Sequence, residues 1–107
     1  MEQLNKVELR GLVGSSFIKD FESTKVVNFS VATNYCYHSS NGETVIETTW
    51  HRVVALERPE TKDAFQLSKG SQVHVLGRLR TQRFTGADGT ARETIEILAN
   101  TVDLISK

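Results

Sequence analysis

A chain of 107 residues with 38% hydrophobic and 24% charged side chains can bury one core, which predicts a single domain over residues 1–107. Thirteen basic and thirteen acidic side chains leave a formal net charge of zero, so overall charge gives no argument for a nucleic-acid partner. The single cysteine, Cys36, excludes an intramolecular disulfide and a zinc site of several cysteines. No apolar run approaches the roughly 20 residues that cross a bilayer, and residues 1–6 lack the apolar stretch of a signal peptide, so we expect a cytoplasmic protein without a membrane partner.

The first predicted strand covers residues 5–13, where apolar and polar side chains alternate. Gly11 and Gly14 predict a bend or a close backbone approach near its end. Residues 17–24 are mostly polar, and we expect them to form a connection with some apolar anchoring. The anchoring side chains are Phe17, Ile18 and Phe21.

A second strand is predicted over residues 26–37, because large apolar side chains of one parity alternate with small polar ones. The large series contains Val27, Phe29, Val31, Tyr35 and Tyr37, with Thr33 in the same register. A strongly coiled sheet would not keep both ends of this series in the core, and a bulge near Asn34 would turn a tyrosine outward. Asn41-Gly42 then predicts a hairpin turn.

The third predicted strand, residues 45–56, carries the only tryptophan. Period two places Trp50, Arg52, Val54 and Leu56 on one face. An indole beside a guanidinium suits stacking on a nucleic-acid base and pairing with its phosphate. The alternative is that Trp50 lies in the core and Arg52 is a solvated charge, and this strand alone does not decide between them.

Pro59 ends the third strand, because proline has no N–H to donate to a neighbouring strand. Residues 61–70 predict a short helix, with Thr61 as its N-cap and Gly70 at its end. Two more strands are predicted over residues 72–84 and 92–105. The side chains expected inward are Val73, Val75, Gly77 and Leu79 in the fourth strand and Ile95, Ile97, Ala99 and Thr101 in the fifth.

Five strands with one short helix between the third and fourth is the element order of the OB-fold. The sequence therefore predicts an all-β, five-stranded OB-fold barrel with long hairpin arms. OB-folds commonly bind oligonucleotides or oligosaccharides, but fold alone leaves the function open.

The titratable side chains form no recognisable catalytic or metal motif. His38, His51 and His74 are scattered over a turn and two strands, and no His-Glu-x-x-His, Cys-x-x-Cys or Gly-x-Ser-x-Gly occurs. Gly11-x-x-Gly14 lacks the Lys and Ser/Thr of a phosphate-binding loop. We therefore expect no enzyme, no cofactor and no metal.

Residues 64–87 contain no acidic side chain. The segment includes Lys69, Arg78, Arg80 and Arg83, together with His74 and Phe84. A hairpin with arginines and an exposed ring can hold a flexible strand, because phosphates pair with Arg and bases stack on Phe. The alternative is that Arg78 and Arg80 only solvate a sheet edge opposite Glu96 and Glu93. The absence of acidic side chains from residues 64–87 favours the first interpretation, in which the hairpin binds a nucleic-acid strand.

Two blocks of residues indicate a family. They are Thr49-Trp50-His51-Arg52-Val53-Val54 and the stretch from Lys69-Gly70-Ser71 to Gly77-Arg78-Leu79-Arg80-Thr81. With Asn5-Lys6-Val7, residues 28–33 and Asp88-Gly89, in order and at compatible spacings, they resemble bacterial single-stranded DNA-binding proteins from about residue 5 to 104.

The resemblance implies DNA-contacting and subunit-contacting residues. The base-stacking positions are Trp50, Tyr37, Phe84 and Leu56, and the phosphate contacts are Arg52, Lys69, Arg80 and Arg83. The family usually has Phe where Leu56 stands, and Leu does not stack like an aromatic ring, so this platform is expected to be weakened. His51 falls at a position of subunit contact in a homo-oligomer, expected to be a tetramer, with a dimer as the alternative.

The function implied is sequence-nonspecific coating and protection of single-stranded DNA in replication, repair or recombination, in a cytoplasmic, nucleoid-associated protein. Family members usually continue into a flexible tail that recruits other enzymes, whereas this sequence ends at Lys107, either as a tail-less variant or as a truncated chain. Without a tail we expect little tail-mediated recruitment. One alternative is a primosomal replication protein, a dimeric branch against which the Trp-His-Arg block argues. The other is a protein-recruiting OB domain with Trp50 buried and no direct base stacking.

Overall fold

Alternating valines on the strands build the core of a barrel, because β-branched side chains pack well on a pleated surface. The structure is a computed structural model that describes residues 1–107. Its strands are β1 (Val7–Phe21), β2 (Thr24–His38), β3 (Thr44–Leu56), β4 (Gln72–Thr85) and β5 (Ala91–Ser106), with a 3₁₀ helix (Pro59–Gln66) between β3 and β4.

The barrel closes in the order β1-β2-β3-β5-β4. All pairings are antiparallel except that of β3 with β5, which joins Val53 to Ile97 and Val54 to Leu98. The core contains 12 buried residues, and Ala64 contributes to it from the helix. A closed five-stranded sheet with one short helix in this position confirms the predicted OB-fold. No helix is long and apolar enough to cross a membrane.

β1 continues well past its predicted end, so the expected polar connection is instead one half of a long hairpin. Val13 pairs with Val31 and Ser16 pairs with Phe29. Two residues of β1 therefore oppose one residue of β2 in a bulge, which reverses the parity of the rest of β1. We call residues 14–26 the β1–β2 arm.

The two tyrosines of β2 lie outside the core, and the predicted bulge near Asn34 is wrong. The ladder between β2 and β3 is continuous from one end to the other. Tyr35 and Tyr37 are exposed because the two strands run on past the barrel as a free hairpin. Their ring centroids lie 6.1 Å apart.

Leu79, Ile95 and Thr101 also depart from their predicted inward positions. Leu79 and Ile95 are exposed because β4 and β5, like β2 and β3, extend beyond the barrel. A bulge at Asn100 shifts the parity of β5, so that Val102 replaces Thr101 as the core residue. We call residues 79–95 the β4–β5 arm.

The helix begins earlier than predicted, and Arg58 rather than Thr61 is its N-cap. Thr61 is instead the third helical residue and is fully buried. Its hydroxyl accepts the N–H of Arg58 at 3.1 Å and donates to the carbonyl of Leu56 at 2.5 Å. Pro59 suits the first helical position, because the N–H that it lacks would have no helical partner there. Gly70 lies in the turn after the helix, where its φ is 90°.

The outer side of β1, β4 and β5 carries a histidine between two carboxylates. His74 Nε2 lies 2.6 Å from Glu8 Oε2, and His74 Nδ1 lies 4.0 Å from Asp103 Oδ2. The hydrogen bond from His74, aided by the positive charges of Lys6 and Arg10, holds the pKa of Glu8 below 4.5.

We expect Glu8 to titrate below its ordinary pKa of 4.5 in the folded protein. Because the folded-state pKa is lowered, this contribution to stability is present above pH 4.5 and is lost as pH falls through the folded pKa. His74→Ala should return the Glu8 midpoint towards 4.5 in an NMR titration of the side-chain carboxyls. The control His38→Ala, at the end of β2, should leave it unchanged. An identical Glu8 midpoint in both variants would contradict the assignment.

Candidate nucleic-acid interface

Outward-facing side chains form a groove between the β1–β2 arm and the β4–β5 arm, with β3 on its floor. Strand parity after the β1 bulge turns one row of the β1–β2 arm towards the same side as Trp50. The side chains of the groove include Phe17, Lys19, Phe21, Asn28, Trp50, Arg52, Leu56, Arg80, Gln82 and Glu96.

Trp50 lies in this groove and is 60% exposed. The outer end of its indole rests against the backbone of Gly14, which the β1 bulge brings beneath it. A Cβ atom at Gly14 would collide with indole Cζ3 and lie 2.8 Å from Cη2. The close approach predicted at Gly14 is therefore made by a side chain, and the alternative of a core Trp50 is wrong.

Gly14→Ala is expected to displace the Trp50 indole, because the added methyl needs the space that the ring occupies. The Trp50 emission maximum and indole N–H chemical shift should both change, at a cost of about 1–3 kcal/mol in unfolding free energy. Gly86→Ala is the matched control, since the nearest atom to its added methyl belongs to the flexible side chain of Arg92. Unchanged spectra in Gly14→Ala would contradict the contact.

Two hollows divide the groove. The first, which we call the Trp50 hollow, has a volume of about 280 Å³ and lies between Phe17 and Trp50. The second, the Leu56 hollow, has a volume of about 410 Å³ and is lined by Phe21 and Leu56 together with Arg80 of the opposite arm. Both are open, partly apolar depressions of the kind that planar rings can enter.

The four predicted phosphate contacts comprise two unpaired and two paired cations. Arg52 and Lys69 form no ion pair. Arg80 donates from Nε and Nη2 to Glu96 Oε1 at 3.1 and 2.5 Å. Arg83 Nε lies 2.9 Å from Glu93 Oε1 at the exposed surface.

The acid-free segment of residues 64–87 is therefore compensated from another strand. Arg80 is directly opposite Glu96 and Arg83 is directly opposite Glu93 in the β4–β5 ladder. Glu96 is only 4% exposed although it belongs to the outward-facing row. The inference that this segment lacks compensating acids is wrong, because charges in a hairpin pair across strands rather than along them.

The remaining predicted site residues fall in different places. Phe84 shares the outward parity of Arg80 on the β4–β5 arm, whereas Tyr37 has the parity opposite to Trp50 on the β2–β3 ladder. His51 also points away from Trp50, and its Nε2 lies 2.8 Å from Thr33 Oγ1. Lys69 is near the Trp50 end of the groove, because the N–H of Gly70 donates to the carbonyl of Val13 at 2.8 Å.

Sequence reasoning missed six of these groove residues, namely Phe17, Lys19, Phe21, Asn28, Gln82 and Glu96. The first three lie in the segment interpreted as a connection. Its sequence, Phe-Ile-Lys-Asp-Phe-Glu, alternates aromatic or basic residues with aliphatic or acidic ones. That period of two is the signal that would have identified the strand and its groove-facing side.

An OB-fold barrel whose groove combines exposed aromatic rings with cations has the general form of a nucleic-acid-binding module. A family model described as the single-strand binding protein family matches residues 4–105. The chain belongs to this family.

Two curated relatives illustrate the similarity. The single-stranded DNA-binding protein of Neisseria meningitidis is 32% identical over 106 residues, which cover 95% of this chain and 60% of the relative. Single-stranded DNA-binding protein 1 of Xylella fastidiosa is 34% identical over 112 residues, which cover 100% of this chain and 81% of the relative. The chain thus spans about 60% of the length of the meningococcal protein.

Solved structures show the same architecture. A Plasmodium falciparum SSB in complex with single-stranded DNA matches with a TM-score of 0.82 and 32% identity, covering 100% of this chain and 97% of that one. A small single-stranded DNA-binding protein from Streptomyces coelicolor matches with a TM-score of 0.70 and 22% identity, covering 97% and 95% of the two chains. The second similarity supports the fold alone.

Proposed function

We propose that this protein binds single-stranded DNA without sequence preference and coats it stoichiometrically. The observation that carries the proposal is the exposed Trp50 indole on a groove that also holds the unpaired Arg52. Family membership and the similarity to an SSB in complex with single-stranded DNA support the same function. A protein-recruiting OB domain without base stacking is not favoured, because it required a buried Trp50.

The mechanism combines stacking with charge. Bases would stack on Trp50 and Phe84, each contributing roughly 1–3 kcal/mol, and every base presents a π-face, so the interaction tolerates any sequence. Arg52 and Lys69 would contact phosphates and release their condensed counterions. Because Tyr37 lies on the opposite side of the β2–β3 ladder, DNA would have to wrap around that hairpin to reach it.

Tryptophan fluorescence tests the proposal directly, because Trp50 is the only indole in the chain. Titration with oligo-dT at low salt should quench the emission, and added salt should reverse the quenching. The logarithm of the binding constant should fall linearly with the logarithm of the salt concentration. A flat salt dependence, or no binding by either fluorescence or mobility shift, would overturn the proposal.

Glu96→Gln is expected to strengthen binding at low salt and to steepen its salt dependence. The neutral amide keeps the size of the side chain but no longer neutralises Arg80, so one more positive charge faces the phosphates. The slope of the log–log plot should increase in magnitude by up to about 0.7. Glu60→Gln, on the helix, is the control and should leave the slope unchanged. An unaltered salt slope in Glu96→Gln would mean that Arg80 does not contact the DNA.

We further propose that the protein works as a homo-oligomer, a tetramer with a dimer as the alternative, where DNA is single-stranded during replication, repair or recombination. Leu79 and Ile95 support assembly, because they continue the core-facing rows of β4 and β5 into solvent with nothing covering them. Sedimentation equilibrium tests this part of the proposal. A monomer at micromolar concentration would contradict it without affecting DNA binding.

A further inference from the structure

The β1–β2 arm has two chemically different sides, and we propose that its groove-facing side is a second base-binding wall, in which Phe17 and Phe21 stack on nucleobases and Lys19 contacts the intervening phosphate. This inference rests on the proposed binding of single-stranded DNA. It assigns a role to three residues of the arm that the family resemblance did not place in the site.

The alternation along the arm carries the first step. Phe17, Lys19 and Phe21 share one parity, and their cross-strand partners are Asn28, Val26 and Thr24. The intervening Ile18 and Asp20 have the opposite parity. The arm therefore turns its rings and its cation to the groove and its acid away from it, which is the sorting that a polyanion requires.

Exposure is the second step. Phe17 is 58% exposed and Phe21 is 57% exposed, so neither ring is buried in the core or covered by another element. Lys19 forms no ion pair, and its Nζ lies 6.0 Å from the centroid of the Phe17 ring. Two neighbouring exposed rings beside an unpaired cation do little for the stability of the fold, whereas they match a base–phosphate–base sequence.

The hollows supply the third step, because each ring of the arm faces a residue of β3. Phe17 lines the Trp50 hollow with Trp50, and Phe21 lines the Leu56 hollow with Leu56. A base in the Trp50 hollow would contact two rings. A base in the Leu56 hollow would stack on Phe21, so that the arm supplies the aromatic platform that Leu56 does not.

Continuity and charge identify the occupant. The two hollows adjoin along Asn28 and lie in the groove proposed to bind DNA, with the unpaired Arg52 beside one and Arg80, which is paired with Glu96, beside the other. The two phenylalanines are four positions apart on an extended strand, which separates them by roughly 13 Å. A flexible single strand following the arm can therefore place bases in both hollows.

The test compares Phe17→Ala and Phe21→Ala with Ile18→Ala in the full chain. Ile18 is also exposed and apolar but has the opposite parity, which makes it the matched control. At fixed salt, each Phe variant should bind oligo-dT roughly 5- to 150-fold more weakly without a change in salt slope. Ile18→Ala should bind like the wild type. Lys19→Gln should reduce the magnitude of the salt slope by about 0.7.

A second readout places the DNA at the arm. In a Trp50→Phe, Phe21→Trp double variant the only indole lies at position 21, and oligo-dT should quench its emission. No quenching there, with affinities of the Phe variants equal to that of Ile18→Ala, would overturn the inference. If these variants change the oligomeric state and leave the affinity intact, the arm is a subunit contact and the inference is equally overturned. A wild-type protein that fails to bind oligo-dT would overturn the proposed function instead.

Discussion

Trp50→Ala should weaken oligo-dT binding roughly 5- to 150-fold at constant salt, the equivalent of about 1–3 kcal/mol for one stacking platform. The large effect follows from the position of the ring. It lies in the groove, it is mostly exposed, and it borders both Arg52 and the Trp50 hollow. Fluorescence anisotropy of a labelled oligonucleotide measures the loss, because the variant has no indole of its own to report binding.

Two further variants make this result specific to stacking. Trp50→Phe retains a ring of smaller area and should recover most of the affinity. Ile105→Ala removes an exposed apolar side chain at the far end of β5 and should bind like the wild type. Equal affinities for Trp50→Ala and Ile105→Ala would show that Trp50 is not a stacking platform.

Phe29→Ala should lower the free energy of unfolding by about 3–5 kcal/mol, a large part of the roughly 5–15 kcal/mol available to a domain of this kind. Phe29 is 3% exposed and belongs to the core, so truncating it removes buried apolar surface and leaves a cavity. Urea denaturation measures the change as a lower midpoint with an unaltered m-value.

Phe84→Ala is the matched comparison, because it deletes the same side chain from the exposed β4–β5 arm. Its unfolding free energy should stay within about 0.5 kcal/mol of the wild type, while its affinity for oligo-dT falls. The two phenylalanines should thus separate stability from binding. A Phe84→Ala protein as unstable as Phe29→Ala would show that the arm packs as part of the core.

The β3 part of the candidate site could be predicted from the sequence, because alternate residues of one uninterrupted strand lie on the same face. The pattern placed Trp50, Arg52 and Leu56 on one face, and these residues lie together in the groove. The two motif blocks identified the family before any geometry was known. Exposure of the Trp50 ring was not decided, since an apolar ring on a strand suits either a core or a binding surface.

The exposure of the arm side chains could be determined only from the tertiary structure. A strand that extends beyond the barrel keeps its alternating pattern, but no second layer of the barrel covers its core-facing side chains. Tyr35, Tyr37, Leu79 and Ile95 follow the core-facing parity and are nevertheless exposed. In β1 and β5, a bulge of one extra residue then exchanges the inward-facing and outward-facing positions of the strand beyond it. This is why one side of the β1–β2 arm came to face the groove.

Composition and strand periodicity by themselves determined the five strands, the OB-fold order and the face that carries Trp50 and Arg52. Only the tertiary structure decided which arm side chains meet across the groove, which cations are paired and where Gly14 lies. The physical reason is the difference in sequence separation between the interactions involved. Alternation and turn signals act between neighbours in the chain, whereas Arg80 with Glu96, or Gly14 with Trp50, are brought together by strand pairing and barrel closure.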